Sequence, residues 1–155
     1  MNEVIELLRS SDVKIIMDYA IVKWNPNFLR EIVLNNKDKV RSFFKLLSEQ
    51  KVKEAFDNYV SDEFKHHNQH TKAGRQALLE GMTDAHNQFP AMTISVKHMF
   101  EDGEHVIAHS LVKMNPDHIG FACMHICRIK DGKIAEFWDI ASPIVENCMN
   151  VDGAF

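Results

Sequence analysis

The chain lacks any long hydrophobic run. No stretch approaches the roughly 20 apolar residues of a membrane span, so no membrane partner is expected. It also lacks a secretion signal: the opening MNEVIELLRSSD sets charges among its apolar positions and carries no cleavage site. The expected compartment is the cytoplasm. Basic charge is short as well. The 18 Lys and Arg against 22 Asp and Glu leave a formal net charge of -4, whereas a nucleic-acid binder needs a basic face, so no nucleic-acid partner is expected. There is no Gly-rich phosphate loop, no G-x-S-x-G elbow and no C-x-x-C pair, and neither an internal repeat nor a low-complexity linker. Cysteines number only three. Cys123 and Cys127 fall in one expected strand, where four residues span roughly 13 Å, too far for a disulfide. Free, buried thiols are expected there, and Cys148 lies in the tail.

What is present suits one α+β domain. The 155 residues, 45% hydrophobic and 26% charged, allow one sizeable core, while two separate cores would each be small. The first half has helical spacing. Val4, Ile5, Leu7 and Leu8 form a short stripe. A second helix runs from Ser11 or Asp12 towards Trp24, broken by Asn25-Pro26-Asn27, and a short segment covers 28–34. Val40, Phe43, Phe44 and Leu47 then make a third stripe, and Val52, Ala55 and Phe56 a fourth. Residues 59–68 look extended. Ala77, Leu78, Met82 and Ala85 predict a helix over 74–88, and His86 lies on a helix face expected to meet solvent.

The remainder switches to period two, with strands predicted over 92–100, 104–114, 121–129 and 133–141. Hairpin signals stand at Asp102-Gly103 and Asp131-Gly132, and a looser turn opens at Asn115-Pro116-Asp117. Helices followed by a meander predict helices on one face of the sheet.

Turn chemistry supplies a register. Two-residue turns pair Val96 with His109 and Met124 with Asp139, and pairing Met114 with Phe121 sets His109 opposite Ile126 and Leu111 opposite Met124. Cross-strand partners share a face. One face then carries Ile94, Val96, His98, Ile107, His109, Leu111, Met124, Ile126, Phe137 and Asp139. The other carries Ala108, Ser110, Val112, His125, Cys127, Glu136, Trp138 and Ile140. The first has apolar walls with few polar groups, as a small-molecule pocket needs. A one-residue slip would invert part of this assignment. Val112, Trp138 and Ile140 make the second face apolar enough to bury against another subunit, and a homodimer is expected.

Several motifs carry a resemblance. They are His67-Asn68 after YVSDEF, the helix start Gly74-Arg75-Gln76-Ala77-Leu78, Gly103-Glu104-His105-Val106 leading to His109-Ser110, and Asp131-Gly132-Lys133-Ile134 running into Trp138-Asp139. In this order and spacing, residues 37–142 resemble the SnoaL-like polyketide cyclase family of the nuclear-transport-factor-2-like superfamily, and more narrowly its members predicted to catalyse aldol-type condensations. The resemblance implies a cone-shaped barrel of curved antiparallel sheet covered by helices, usually dimeric, with a polar pocket. Residues 1–36 would be an N-terminal helical extension and 37–155 the SnoaL-like domain, within one compact whole. Gln69 and Phe137 depart from the pattern, where relatives usually have proline and often histidine.

In those relatives a late-strand aspartate acts as acid and base, and Asp139 matches its place. A carboxylate on an apolar face is costly unless paired or protonated, and desolvation suits it to accept a proton from carbon beside a carbonyl. The plainer alternative is a structural aspartate bonded to backbone or helix. His109 would donate to the developing oxyanion, or else be a satisfied core histidine. Within HHNQH the resemblance turns His67 to the pocket, whereas plain alternation groups His66 with Phe64 and turns His66 inwards; a strand end or bulge at this point favours His67. His66 and His70 have zinc-like helical spacing but no third ligand, so no metal is expected. The catalytic set is Asp139, His109 and His67, lined by Phe137, Met124, Ile126, Leu111 and Ile107. The expected activity is cofactor-free acid/base chemistry on a small carbonyl compound: cyclisation, aldol condensation, dehydration or isomerisation. The alternative is a non-catalytic ligand-binding or dimerisation module of the same fold.

Overall fold

A computed structural model describes residues 35–155; the helices assigned above to residues 1–34 lie outside the described residues. Residues 36–155 form one compact unit. Three helices and five strands follow in the order α1 (Asn36–Ser48), α2 (Val52–Tyr59), β1 (Val60–His66), α3 (Arg75–Gln88), β2 (Thr93–Asp102), β3 (His105–Lys113), β4 (Phe121–Lys130) and β5 (Lys133–Pro143). None of the described helices is long and apolar enough to cross a membrane.

The helices form where the 3.6-residue period predicts. In α1 the stripe Val40, Phe43, Phe44 and Leu47 is buried, since residues three and four apart share one helix face. The helix ends at Ser48, and Gln50 two residues on is left-handed, with φ 62°. Helix α2 buries Val52, Ala55 and Phe56. Lys133 Nζ donates to the carbonyls of Asp57 and Asn58 near its C-terminus, where a helix leaves carbonyls unsatisfied and favours a cation.

The sheet order is β1-β5-β4-β3-β2. The meander β2 to β5 is antiparallel. Strand β1 instead runs parallel to β5, so the sheet is mixed rather than wholly antiparallel. It is curved but does not close into the expected barrel: β1 and β2 remain its edges. Asp131 and Gly132, at φ 51° and 77°, make the expected tight turn between Lys130 and Lys133. In the β3–β4 loop Gly120 has φ 110°, and a Cβ there would lie 2.5 Å from Leu111 Cδ1, so this return requires glycine.

Two bulges decide which side chains face inwards. On β2 the partners shift from Val96↔Ser110 to His98↔His109, leaving Lys97 as the extra residue. On β5 they shift from Ile129↔Ile134 to Arg128↔Glu136, leaving Ala135 unpaired. Each bulge reverses the alternation beyond it. The helix-covered face therefore carries Ile94 and Val96, then Ala108 and Ser110, Cys123, His125 and Cys127, and finally Phe137 and Asp139. Phe43 of α1 packs edge-on to Phe137, centroids 6.4 Å apart. Val106, Ala108, Cys127 and Phe137 join the helix stripes in one core cluster. The small residues at 108, 110, 123 and 127 leave room for the α1 rings to approach the sheet.

Candidate functional site

The chemistry-bearing residues of the covered face gather where β3, β4 and β5 run side by side. Register places His125 directly opposite Asp139, and Cys123 opposite Ser110. His125 is 9% exposed. Its ring lies 4.8 Å from the Phe44 ring and 5.6 Å from Phe137. Among the described residues, neither of its ring nitrogens has a hydrogen-bond partner, and the same holds for Ser110 Oγ on a residue 0% exposed. Buried polar groups are nearly always paired; Ser61 Oγ, Arg75 Nε and His86 Nδ1 are further exceptions, but the three atoms of His125 and Ser110 gather on neighbouring strands of the covered face. Burial pushes the His125 imidazole down to about 4, opposed by the nearby Asp139 carboxylate. The ring is therefore neutral at pH 7, with one N–H to donate and one lone pair to accept.

Asp139 is half-buried and held from one side: Asn68 Nδ2–H donates to its Oδ2 at 2.8 Å. Burial, with a smaller push from Asp139, raises the Cys123 thiol to about 11, so Cys123 is a neutral S–H and not a nucleophile. Cys127 is also pushed up by burial. Both are free thiols, as is the exposed Cys148.

Only part of the predicted set comes together. Asp139 and Phe137 are on the covered face. Met124, Ile126, Leu111, Ile107 and His109 are on the opposite face, because the bulge at Ala135 turns the end of β5 over relative to β4. Strands β3 and β4 share faces as predicted, but their register is shifted by two residues: Phe121 is opposite Val112 rather than Met114, Met124 opposite His109 rather than Leu111, and Ile126 opposite Ile107 rather than His109. His109 Nδ1 lies 3.4 Å from His98 Nδ1, and its ring stacks on Phe155 at 4.8 Å. His67 is also on the outer face. Its ring stacks on Trp138 at 4.8 Å, and its Nε2–H donates to Glu136 Oε1 at 3.0 Å. Plain alternation along β1 holds instead: Phe64 is buried, His66 is opposite Phe137, and Asn68 reaches Asp139. His66 is tied down by its Nε2–H donating to the Lys72 carbonyl at 2.8 Å. His86, expected in solvent, is buried, and desolvation lowers its pKa.

Sequence reasoning missed Asn68, His125 and Ser110 as site residues. Asn68 is the second residue of the His67-Asn68 pair, in which the resemblance points to its neighbour. His125 and Ser110 sat among Ala108, Cys123 and Cys127, and that run of small side chains was the available sign of a closely covered surface. Among the described residues, no three His, Cys, Asp or Glu side chains gather as a metal-ligand set.

An α+β domain with a helix-covered, open curved sheet and a small polar cluster beneath the helices defines the class. A profile of the SnoaL-like domain matches residues 40–137, and the chain belongs to this family. Among solved structures it is similar to a nuclear-transport-factor-2-like protein of unknown function from Cytophaga hutchinsonii, with 18% identity over 71% of this chain and 92% of that one, at TM-score 0.60. It is also similar to a candidate polyketide cyclase from Bacillus cereus, with 21% identity over 68% and 72% and TM-score 0.60. A candidate ketosteroid isomerase from Kribbella flavida has 14% identity over 74% and 82%, at TM-score 0.59. No curated protein matches the chain.

Proposed function

We propose that the covered face binds a small organic carbonyl compound and moves a proton on it without a cofactor, the chemistry shared by cyclisation, aldol condensation, dehydration and isomerisation. The observation that carries this reading is the buried His125, both ring nitrogens unpartnered, directly opposite Asp139. Asp139 takes the proton from carbon beside the carbonyl, and the electron pair moves onto oxygen. The N–H of His125 and the O–H of Ser110 donate to that oxygen, where burial makes each donor count for more than in water. The enolate then attacks an electrophile within the substrate, expels a leaving group, or regains the proton from Asp139 at another carbon. His109 and His67, expected as donors from sequence, have no part in this proposal because they lie across the sheet from Asp139.

Exchange of acidic C–H protons with deuterated solvent tests the reading without knowledge of the natural substrate. A panel of small ketones and diketones, followed by proton NMR, should reveal one whose exchange the protein accelerates. Asp139→Asn keeps the shape and should lower that acceleration roughly 100-fold or more. A correctly folded Asp139→Asn chain exchanging at the wild-type rate would sink the base assignment. A chain that binds such compounds without exchange in any form would be the ligand-binding module instead.

The outer face supports a homodimer, although Val112, expected on it, lies on the covered face with Ser110. Ile140 is 66% exposed and Phe100 60%, and Met124, Ile126 and Trp138 share the face with Ile140. Contiguous apolar surface of this kind marks interaction sites. Sedimentation should give about twice the 17.9 kDa chain mass, and Ile140→Glu should shift it towards monomer. Wild-type protein sedimenting as a monomer at micromolar concentration, a rough working scale for association, would rule the dimer out.

A further inference from the structure

Asn68 touches the proposed base and has its own orientation fixed. It follows β1, and the backbone just before it is tied to β5: His67 N–H donates to the Phe137 carbonyl at 2.9 Å, two residues ahead of Asp139. The Asn68 side chain also closes a small turn, its Oδ1 accepting the His70 backbone N–H at 2.8 Å. That bond fixes which end of the amide faces the carboxylate. A flipped amide would set its oxygen against Asp139 and its NH2 against the His70 N–H, two clashes of like partners. The Nδ2–H donor is thus held 2.8 Å from Asp139 Oδ2. Among the described residues this is the carboxylate's hydrogen bond; Oδ1 has no partner.

We propose that Asn68 is a positioning residue for Asp139. By holding Oδ2 it fixes the plane of the carboxylate and leaves Oδ1 as the oxygen that meets the substrate. The proposal rests on the reading of Asp139 as base for its catalytic meaning, but not for its test. The other groups facing Asp139 are His125 and Cys123 of β4, both uncharged at neutral pH through burial, so Asn68 is the partner whose loss the carboxylate should feel.

The test pairs the Asp139 carboxyl 13C signal of the full chain at pH 7, assigned by its absence in Asp139→Asn, with C–H exchange on a ketone whose exchange the wild type accelerates. Asn68→Ala removes the donor, so it should displace that signal and lower kcat roughly tenfold, the scale of a charge-assisted bond, while leaving KM in place. Asn68→Ser, which can still donate a proton, should fall between wild type and Asn68→Ala and guards against a folding failure of the alanine variant. Folded Asn68 variants that leave the Asp139 signal where it was overturn the proposal. If the signal moves while Asp139→Asn exchanges normally, Asn68 still orients Asp139 and the base assignment is what fails.

Discussion

The two faces of the sheet carry the same kinds of groups in opposite circumstances. Outside, the Glu136 carboxylate takes Nε2–H of His67 on one oxygen and Nε–H of Arg128 on the other, both at 3.0 Å. Those bonds hold its carboxyl below the usual range, His67 contributing most. Of the outer histidines, His67 bonds Glu136 and stacks on Trp138, and His109 lies between His98 and Phe155. Inside, His125 and Ser110 are buried with polar atoms that meet no partner, and Asp139 is bonded through one oxygen. Polar groups that satisfy one another are complete. Those left open beneath a helix have capacity for a ligand, and that difference separates the faces better than residue type or histidine count.

The contrast should be visible in how stability depends on pH. His125 is depressed from 6.5 to about 4 by burial. Between those values the unfolded chain binds a proton that the folded chain refuses, so stability is full above about 6.5 and falls as the pH drops towards 4. The loss attributable to His125 is about 3 kcal/mol, from the linkage of pKa shift to free energy. Replacing it by a ring of similar size, His125→Phe, keeps the packing against Phe44 and Phe137 but removes the titration. Urea denaturation at pH 7 and pH 4.5 should then show a markedly smaller loss for the variant than for wild type. His86 contributes in the same direction and remains in both proteins, so the difference between the two slopes isolates His125. Equal slopes would mean that the ring is not shut away from water, and the contrast between the faces would weaken with it.

How much of this was legible in the sequence differs from element to element. Period-3.6 stripes located α1 and α2 because their buried residues lie at the spacings a helix requires. The Asp131-Gly132 turn gave the Lys130↔Lys133 pair correctly. Register failed two residues past Lys133, because the bulge at Ala135 has no signature in the local pattern and one extra residue turns Phe137 and Asp139 to the other side. The Lys97 bulge did the same to Ile94 and Val96 relative to His109. Asp139 was thus placed on the covered face with the wrong companions. At the end of β1, alternation from Phe64 turns His66 and Asn68 inwards and His67 outwards, whereas the resemblance points to His67. Family resemblance located the motif, and strand geometry decided which of its residues faces the site.

The smallest effect expected is also the sharpest probe of the division between faces. Glu136 stands three residues before Asp139 on the same strand, is a carboxylate like it, and bonds a histidine and an arginine. By composition alone it is as good a catalytic acid or base. Its partners, however, are partly exposed, with His67 at 45% and Arg128 at 28% of side-chain surface, and ion pairs in that setting contribute little once solvent screening is counted. Glu136→Gln keeps the shape and can still bond either neighbour. It should cost about 1 kcal/mol at most in urea denaturation and leave C–H exchange at the wild-type rate, while Asp139→Asn abolishes most of it. A Glu136→Gln chain of normal stability that lost exchange to the same degree would bring the outer face into the chemistry, and the separation of a satisfied face from an open one would no longer locate the site.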